Sequence, residues 1–270
     1  MSATTLESTA VSADGTRIAV SAVGSGPAVV LVDGALCYRA QGPSAKLAEA
    51  LADSFTVYTY DRRGRGESSN TTPYAVDREI EDLAAVIGLA GGTADVYGIS
   101  SGAILAAEAA CHDIGIRRLA LYEAPFVVDG SHPPVPHDIV DQLQTFVAQD
   151  RRGDAVRLFM RTVGVPGFVI RLMRFLPVWS KLTGVAHTLP YDLTAVTLVP
   201  SGQPLPTDRW AAVTAPTLVM DGGKSPEWMR TAQHNLSEVV PGARYQTIPG
   251  QTHMLKASAV APVLTEFFTS

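Results

Sequence analysis

Two kinds of hydrophobic spacing alternate along the chain. PAVVLVDG (27–34) is an unbroken apolar run rich in β-branched residues, the pattern of a strand covered on both faces. SAKLAEALAD (44–53) then places its apolar residues at helical spacing, and FTVYTYD (55–61) returns to a strand that ends at Asp61. In AVDREIEDLAAVIGLAG, Ile80, Leu83, Val86, Ile87 and Leu89 share one side of a helix that Gly91 closes. ADVYG, a serine-rich turn and a helix reaching Cys111 come next, and RRLALYEAP (117–125) is a strand stopped before Pro125. Upstream, STAVSADGTRIAVSAVG predicts two short strands around Asp14-Gly15, a dipeptide suited to a tight hairpin. Downstream, APTLVMDGG (215–223) and ARYQTIPG (243–250) are strands separated by a helix over 226–239, and VAPVLTEFF forms a last helix. This alternation predicts a mainly parallel eight-stranded sheet flanked by helices on both faces.

The rhythm breaks between 126 and 208. No strong strand pattern occurs there, but PHDIVDQLQTFVAQ, GDAVRLFMRTV, GFVIRLMRFL and VWSKLTGVAHTL are helix-like, with Pro166, Pro177 and Pro190 as breakers between them. A helical cap subdomain over 126–208, inserted into a core made of 1–125 and 209–270, is the expected organisation.

Composition narrows the classes. With 46% hydrophobic and 17% charged residues the chain can bury a large core and carries no signature of disorder. The formal charge of −5 argues against nucleic acid as a partner, because phosphate binding needs a basic surface. The one arginine cluster, Arg62, Arg63 and Arg65, lies beside Asp61 and Glu67 and reads as a locally neutralised loop. Cys37 and Cys111 are too few for a disulfide framework and are expected as reduced thiols. The polar start MSATTLESTAVSADG and the absence of a long apolar run lead us to expect a soluble, cytoplasmic protein without membrane insertion. No His/Cys/Asp spacing resembles a metal-ligand set, and no cofactor is expected.

The candidate chemistry starts at Gly98-Ile99-Ser100-Ser101-Gly102, a G-x-S-x-G match between a strand and a small-residue helix. A sharp turn there lifts the Ser100 hydroxyl above the sheet edge and aims the helix's first N–H groups at a developing anion. Such five-residue matches arise by chance, and an ordinary strand-to-helix turn would show the same letters; the flanking pattern is what raises this one. Together with the strand ending VDGA, the loop DRRGRGES, the inserted helices and a late PGQTH, the chain resembles the α/β-hydrolase family over nearly its whole length. The resemblance implies a serine nucleophile at Ser100 and a histidine base at His253, in Gly250-Gln251-Thr252-His253 after the last strand. The remaining histidines, His112, His132, His137, His187 and His234, read as surface or packing residues. The Asp61–Ser68 loop reads as structural, with its charges tied internally.

The acid is where the chain departs from the family. The resemblance puts an aspartate three residues beyond Gly222, where this sequence has Ser225, and a hydroxyl cannot offset an imidazolium charge. Three carboxylates remain: Glu123, at the end of its strand in LYEAP and the preferred choice; Asp221, the alternative acid; and Glu227. Some family members carry their acid at the place of Glu123. By family position the oxyanion hole would use the Ala35 and Ser101 N–H groups. The histidine common before that loop's glycine is replaced by Asp33, for which Tyr38 or Arg39 is a possible partner. Cys37 has no evident base and a better-placed serine competes with it.

The helical interval offers Phe159, Met160, Phe168, Ile170, Leu172, Met173, Phe175, Leu176 and Trp179, part of which should line an apolar substrate cavity. The expected function is a serine hydrolase acting on an ester, lactone or thioester of a smallish hydrophobic substrate, as a monomer or homodimer. The alternatives are a non-hydrolytic or C–C bond-cleaving member of the fold, or a ligand-binding or signalling protein that retains the triad.

Overall fold

The computed structural model describes residues 5–270. Its strands are β1 (Leu6–Val11), β2 (Arg17–Gly24), β3 (Ala28–Val32), β4 (Thr56–Tyr60), β5 (Ala94–Ile99), β6 (Ile116–Tyr122), β7 (Thr217–Gly222) and β8 (Arg244–Ile248). They form one sheet in the order β1-β2-β4-β3-β5-β6-β7-β8. The β1–β2 and β2–β4 pairs are antiparallel, and every pair from β4–β3 to β7–β8 is parallel. Every residue of β5 and β7 is buried, as expected of central parallel strands covered by helices on both faces.

The helices are α1 (Ser44–Leu51), α2 (Val76–Leu89), α3 (Ser101–Ala109), α4 (Ile139–Ala148), α5 (Arg152–Thr162), α6 (Gly167–Met173), α7 (Val178–Val185), α8 (Leu189–Val196), α9 (Glu227–Val239) and α10 (Ala257–Thr269). One face of the sheet packs Leu83 of α2, Ile104 of α3 and Leu236 of α9 against Val30, Val96 and Leu121. The other buries Leu47 and Leu51 of α1 and Leu264 and Phe268 of α10 on Val29, Leu31 and Tyr97. No helix is long and apolar enough to cross a membrane, among the described residues.

Helices α4 to α8 lie between β6 and β7 and share a small core of their own, in which Leu143, Val156, Leu182 and Leu189 meet Leu36 from the loop after β3. Pro166 and Pro177 immediately precede α6 and α7, as boundary prolines should. Pro190 behaves differently. It occupies the first turn of α8, a helix over LPYDLTAV that the sequence pattern does not predict. A first-turn proline costs no hydrogen bond, so it starts this helix instead of ending one. The apolar stripe also departs from expectation: Phe168 (76% exposed), Leu172, Phe175 (82%) and Leu176 face outward.

Candidate active site

The site is assembled at the C-terminal edge of the parallel strands. Ser100 follows β5 directly and caps α3 with φ 58° and ψ −130°, a conformation costly for a residue with a Cβ. Its N–H is held by the Tyr122 carbonyl of β6 at 2.9 Å. The flanking glycines are required by close approach. A Cβ on Gly98 would stand 2.5 Å from the Gly102 carbonyl oxygen, and one on Gly102 only 2.3 Å from that of Val32. Leu36 and Glu123 also adopt positive φ, so among the described residues three of the four such non-glycine positions lie around this edge. Strained backbone concentrates where function needs a fixed direction.

Glu123 follows β6 and is fully buried. Its Oε2 lies 2.8 Å from Nδ1 of His253, on the loop after β8. A carboxylate only accepts, so this contact assigns the proton to Nδ1 and turns Nε2 away from Glu123. Oε1 accepts the Gly222 N–H at 2.8 Å and a short bond from the Ser225 hydroxyl. Ser225, at the family's aspartate position, therefore donates to the carboxylate that faces the histidine. The histidine loop is tied down by the Tyr122 hydroxyl, which donates to the Thr252 carbonyl at 2.8 Å, and by the Lys224 N–H on the Gln251 carbonyl. The His253 side chain keeps 38% exposure. Among the described residues neither Ser100 Oγ nor His253 Nε2 makes a hydrogen bond, so the serine–histidine contact is open in this state. Such contacts commonly tighten only around substrate.

The other two carboxylates are elsewhere. Asp221 is buried and accepts from the Tyr245 hydroxyl, with Arg230 Nε at 3.6 Å. Glu227 opens α9 and is exposed.

The loop after β3 carries Ala35. Neither the Ala35 nor the Ser101 N–H has a partner among the described loop and cap hydrogen bonds. Asp33 takes the Ser44 hydroxyl at 2.7 Å, not Tyr38 or Arg39; Arg39 instead pairs with Glu7, Asp61 and Glu67. Burial pushes the Asp33 carboxyl up to about 6, and burial with the Asp33 charge raises the Cys37 thiol to about 12, which makes it unreactive.

Arg62, Arg63 and Arg65 correct the reading of a locally neutralised loop. All three are buried and find their counter-charges far away in sequence. Arg62 pairs with Glu79 and Asp192, Arg63 with Asp82 and Asp14, and Arg65 with Asp192. Glu79 and Asp82 were a readable signal, since both lie on the apolar side of α2 beside Ile80 and Leu83. Asp192 left no such trace.

A cavity of about 40 Å³ adjoins Ser100. Ala35, Ser101, Phe159, Leu193 and Val196 line it, and so do His132 and Trp228, whose ring centroids lie 4.4 Å apart with the planes tilted by 39°. Of the apolar stripe named from sequence only Phe159 reaches this wall. His132 and Trp228 had no sequence signal, because they meet only across the fold. Among the described residues no cluster of His, Cys, Asp and Glu could hold a metal ion.

Sheet order, serine turn and the point of helical insertion are together those of an α/β-hydrolase fold. The chain belongs to the alpha/beta hydrolase family, whose model matches residues 24–262. It is 52% identical to an alpha/beta hydrolase from Sphaerobacter thermophilus DSM 20745, with 97% of this chain and 100% of that one covered and a TM-score of 0.89. The enol-lactonase from Burkholderia xenovorans LB400 shares the fold at 20% identity (97% and 100% covered, TM-score 0.70). A thermophilic esterase from Thermogutta terrifontis does so at 22% (98% of each chain, TM-score 0.68). Comparison with curated proteins found no match.

Proposed function

We propose that the protein is a serine hydrolase that cleaves an ester, lactone or thioester of a smallish hydrophobic substrate through an acyl-enzyme on Ser100. The observation that carries this reading is the 2.8 Å contact between His253 Nδ1 and the buried Glu123, at the same sheet edge as the strained Ser100 turn. With its Nδ1 proton held by Glu123, His253 presents a basic Nε2. That nitrogen takes the Ser100 proton as Oγ bonds to the substrate's carbonyl carbon. The carbonyl π electrons move onto oxygen, where the Ala35 and Ser101 N–H groups stabilise them. The C–O or C–S bond to the leaving group then breaks, and that group collects the proton from Nε2. Water, deprotonated by the same nitrogen, attacks the acyl carbon and restores the Ser100 hydroxyl.

The helices between β6 and β7 serve as a cap in this reading, and the apolar lining from Phe159, Leu193, Val196 and Trp228 favours an apolar acyl or alcohol group. A cavity of about 40 Å³ holds a few waters at most, so the substrate must displace side chains such as the His132–Trp228 pair to enter. The test is labelling by a fluorophosphonate probe together with turnover of short and medium p-nitrophenyl esters. Wild-type protein should label and turn over repeatedly, and Ser100→Ala should do neither. Labelling that persists in Ser100→Ala would remove Ser100 from the mechanism; a single burst without turnover would favour a receptor.

A further inference from the structure

Both segments assigned to the oxyanion hole are fastened to one carboxylate that comes from outside the sheet domain. Asp192, on α8, is completely buried yet borders the cavity beside Ala35, Ser100 and Ser101. Its Oδ1 accepts the Ser101 hydroxyl at 2.8 Å and Arg62 Nη1 at 2.8 Å, and its Oδ2 accepts Arg65 Nη2 at 2.7 Å. The same two guanidinium groups reach the loop after β3. Arg62 Nη1 donates to the Asp33 carbonyl at 3.2 Å, and Arg65 Nη1 to the carbonyls of Gly34 at 2.7 Å and Cys37 at 3.2 Å. The peptide segments on both sides of Ala35 are thus held by the arginines that Asp192 holds.

The network is also balanced. Arg62 and Arg65 face Glu79 and Asp192, two charges against two, and Tyr74 donates to Glu79. Burial alone would push the Asp192 carboxyl up, but Arg65 and Arg62 overcome it and hold it below the ordinary carboxylate range. Asp192 is therefore charged at neutral pH.

We propose that Asp192 is a positioning residue for the oxyanion hole, fixing the Ser101 and Ala35 N–H groups relative to each other from the inserted helices. The inference rests on the serine-hydrolase reading. Donors to a developing oxyanion contribute only if they are fixed before the reaction, and a small displacement forfeits much of their effect. The arrangement makes the hole complete only while α8 is docked, so the insertion contributes to rate as well as to substrate fit.

The experiment compares wild type, Asp192→Asn and Ser101→Ala. Asp192→Asn keeps size and removes charge; Ser101→Ala deletes one hydroxyl of the network, keeps its N–H and leaves every ion pair intact. Three readouts are taken: the rate constant for fluorophosphonate labelling of Ser100, kcat and KM on a p-nitrophenyl ester, and affinity for a trifluoromethyl ketone, whose hydrated adduct places an oxyanion in the hole. We expect labelling and kcat to fall by about 30-fold or more in Asp192→Asn and about fivefold in Ser101→Ala, less than the roughly 10²- to 10³-fold cost of deleting a donor outright, because the donors are displaced and not removed. KM should change less than threefold, and ketone affinity should fall in step with kcat/KM. Should Asp192→Asn not fold, Ser101→Ala decides the matter alone. Folded variants that label at the wild-type rate, or that lose KM and leave ketone affinity unchanged, overturn the inference and leave the hydrolase reading intact. Failure of the wild type itself to label overturns both.

Discussion

His253 Nδ1 stands 2.8 Å from Oε2 of Glu123, so the histidine meets a carboxylate from the end of β6 rather than from the turn after β7. Glu123→Gln keeps the volume but offers His253 a neutral amide that no longer stabilises the imidazolium. We expect kcat on p-nitrophenyl esters to fall by roughly 10³- to 10⁴-fold, the scale seen when a triad carboxylate becomes an amide. Asp221→Asn should change kcat less than about tenfold, since Asp221 is occupied by Tyr245 and Arg230. Steady-state kinetics on the two variants decides between the carboxylates, and the reverse ranking would assign the role to Asp221.

The Ser225 hydroxyl touches Glu123 Oε1, which brings the two alternative acid positions to one point in space. A carboxylate moved to 225 should therefore reach His253 once Glu123 is removed. Glu123→Ala combined with Ser225→Asp is expected to recover at least about tenfold in kcat over Glu123→Ala alone, a non-additive coupling of neighbours. In the wild-type background Ser225→Asp should lower the thermal midpoint, because two buried carboxylates would share one site. A double variant no faster than Glu123→Ala would show that the acid must enter from β6.

What could be read from sequence was what short-range pattern encodes. The buried strands announce themselves because parallel strands covered on both faces need apolar runs, as in AVVLV of β3 and TLVM of β7. Ser100 stood out because only glycine fits at 98 and 102. Glu123 was named as one of three carboxylates, and only the positive φ and three-way hydrogen bonding of the folded chain show what it faces. Asp192 was invisible for a different reason. Its partners Arg62 and Arg65 lie more than a hundred residues away, and α8 itself was hidden by Pro190. The outward-facing stripe on α6 shows the converse error, since apolar spacing marks a face without saying what covers it.

Arg63 is a stability residue in this scheme. It meets Asp82 through two hydrogen bonds of 2.7 Å and also binds Asp14 and the Arg78 carbonyl, all away from the cavity. Arg63→Met would leave Asp82 buried without its counter-charge, and we expect a loss of about 3–5 kcal/mol in urea unfolding. Replacing the pair together, Arg63→Met with Asp82→Leu, should restore most of that loss, because an apolar pair of similar size avoids desolvating either charge. A loss below about 1 kcal/mol for the single variant would contradict the buried geometry.

Asp33 gives the chain a pH dependence whose sign is opposite to that of a salt-bridged acid. Its carboxyl is raised from 3.8 to about 6, chiefly by burial, with the Ser44 hydroxyl opposing. Below the unfolded value both states carry the proton and the folded state has its full advantage. Between about 4 and 6 the unfolded chain ionises first, so stability from this group falls as pH rises, and above 6 the loss is complete. A rise from 3.8 to about 6 corresponds to about 3 kcal/mol. Asp33→Asn cannot ionise and still accepts from Ser44, so it should gain on the wild type by up to that amount between pH 4 and pH 7.5. Urea unfolding of both proteins at the two pH values reads the difference directly. A gap that stays constant across the range would mean that Asp33 titrates as it does in the unfolded chain and that its burial is relieved on the folded protein by water.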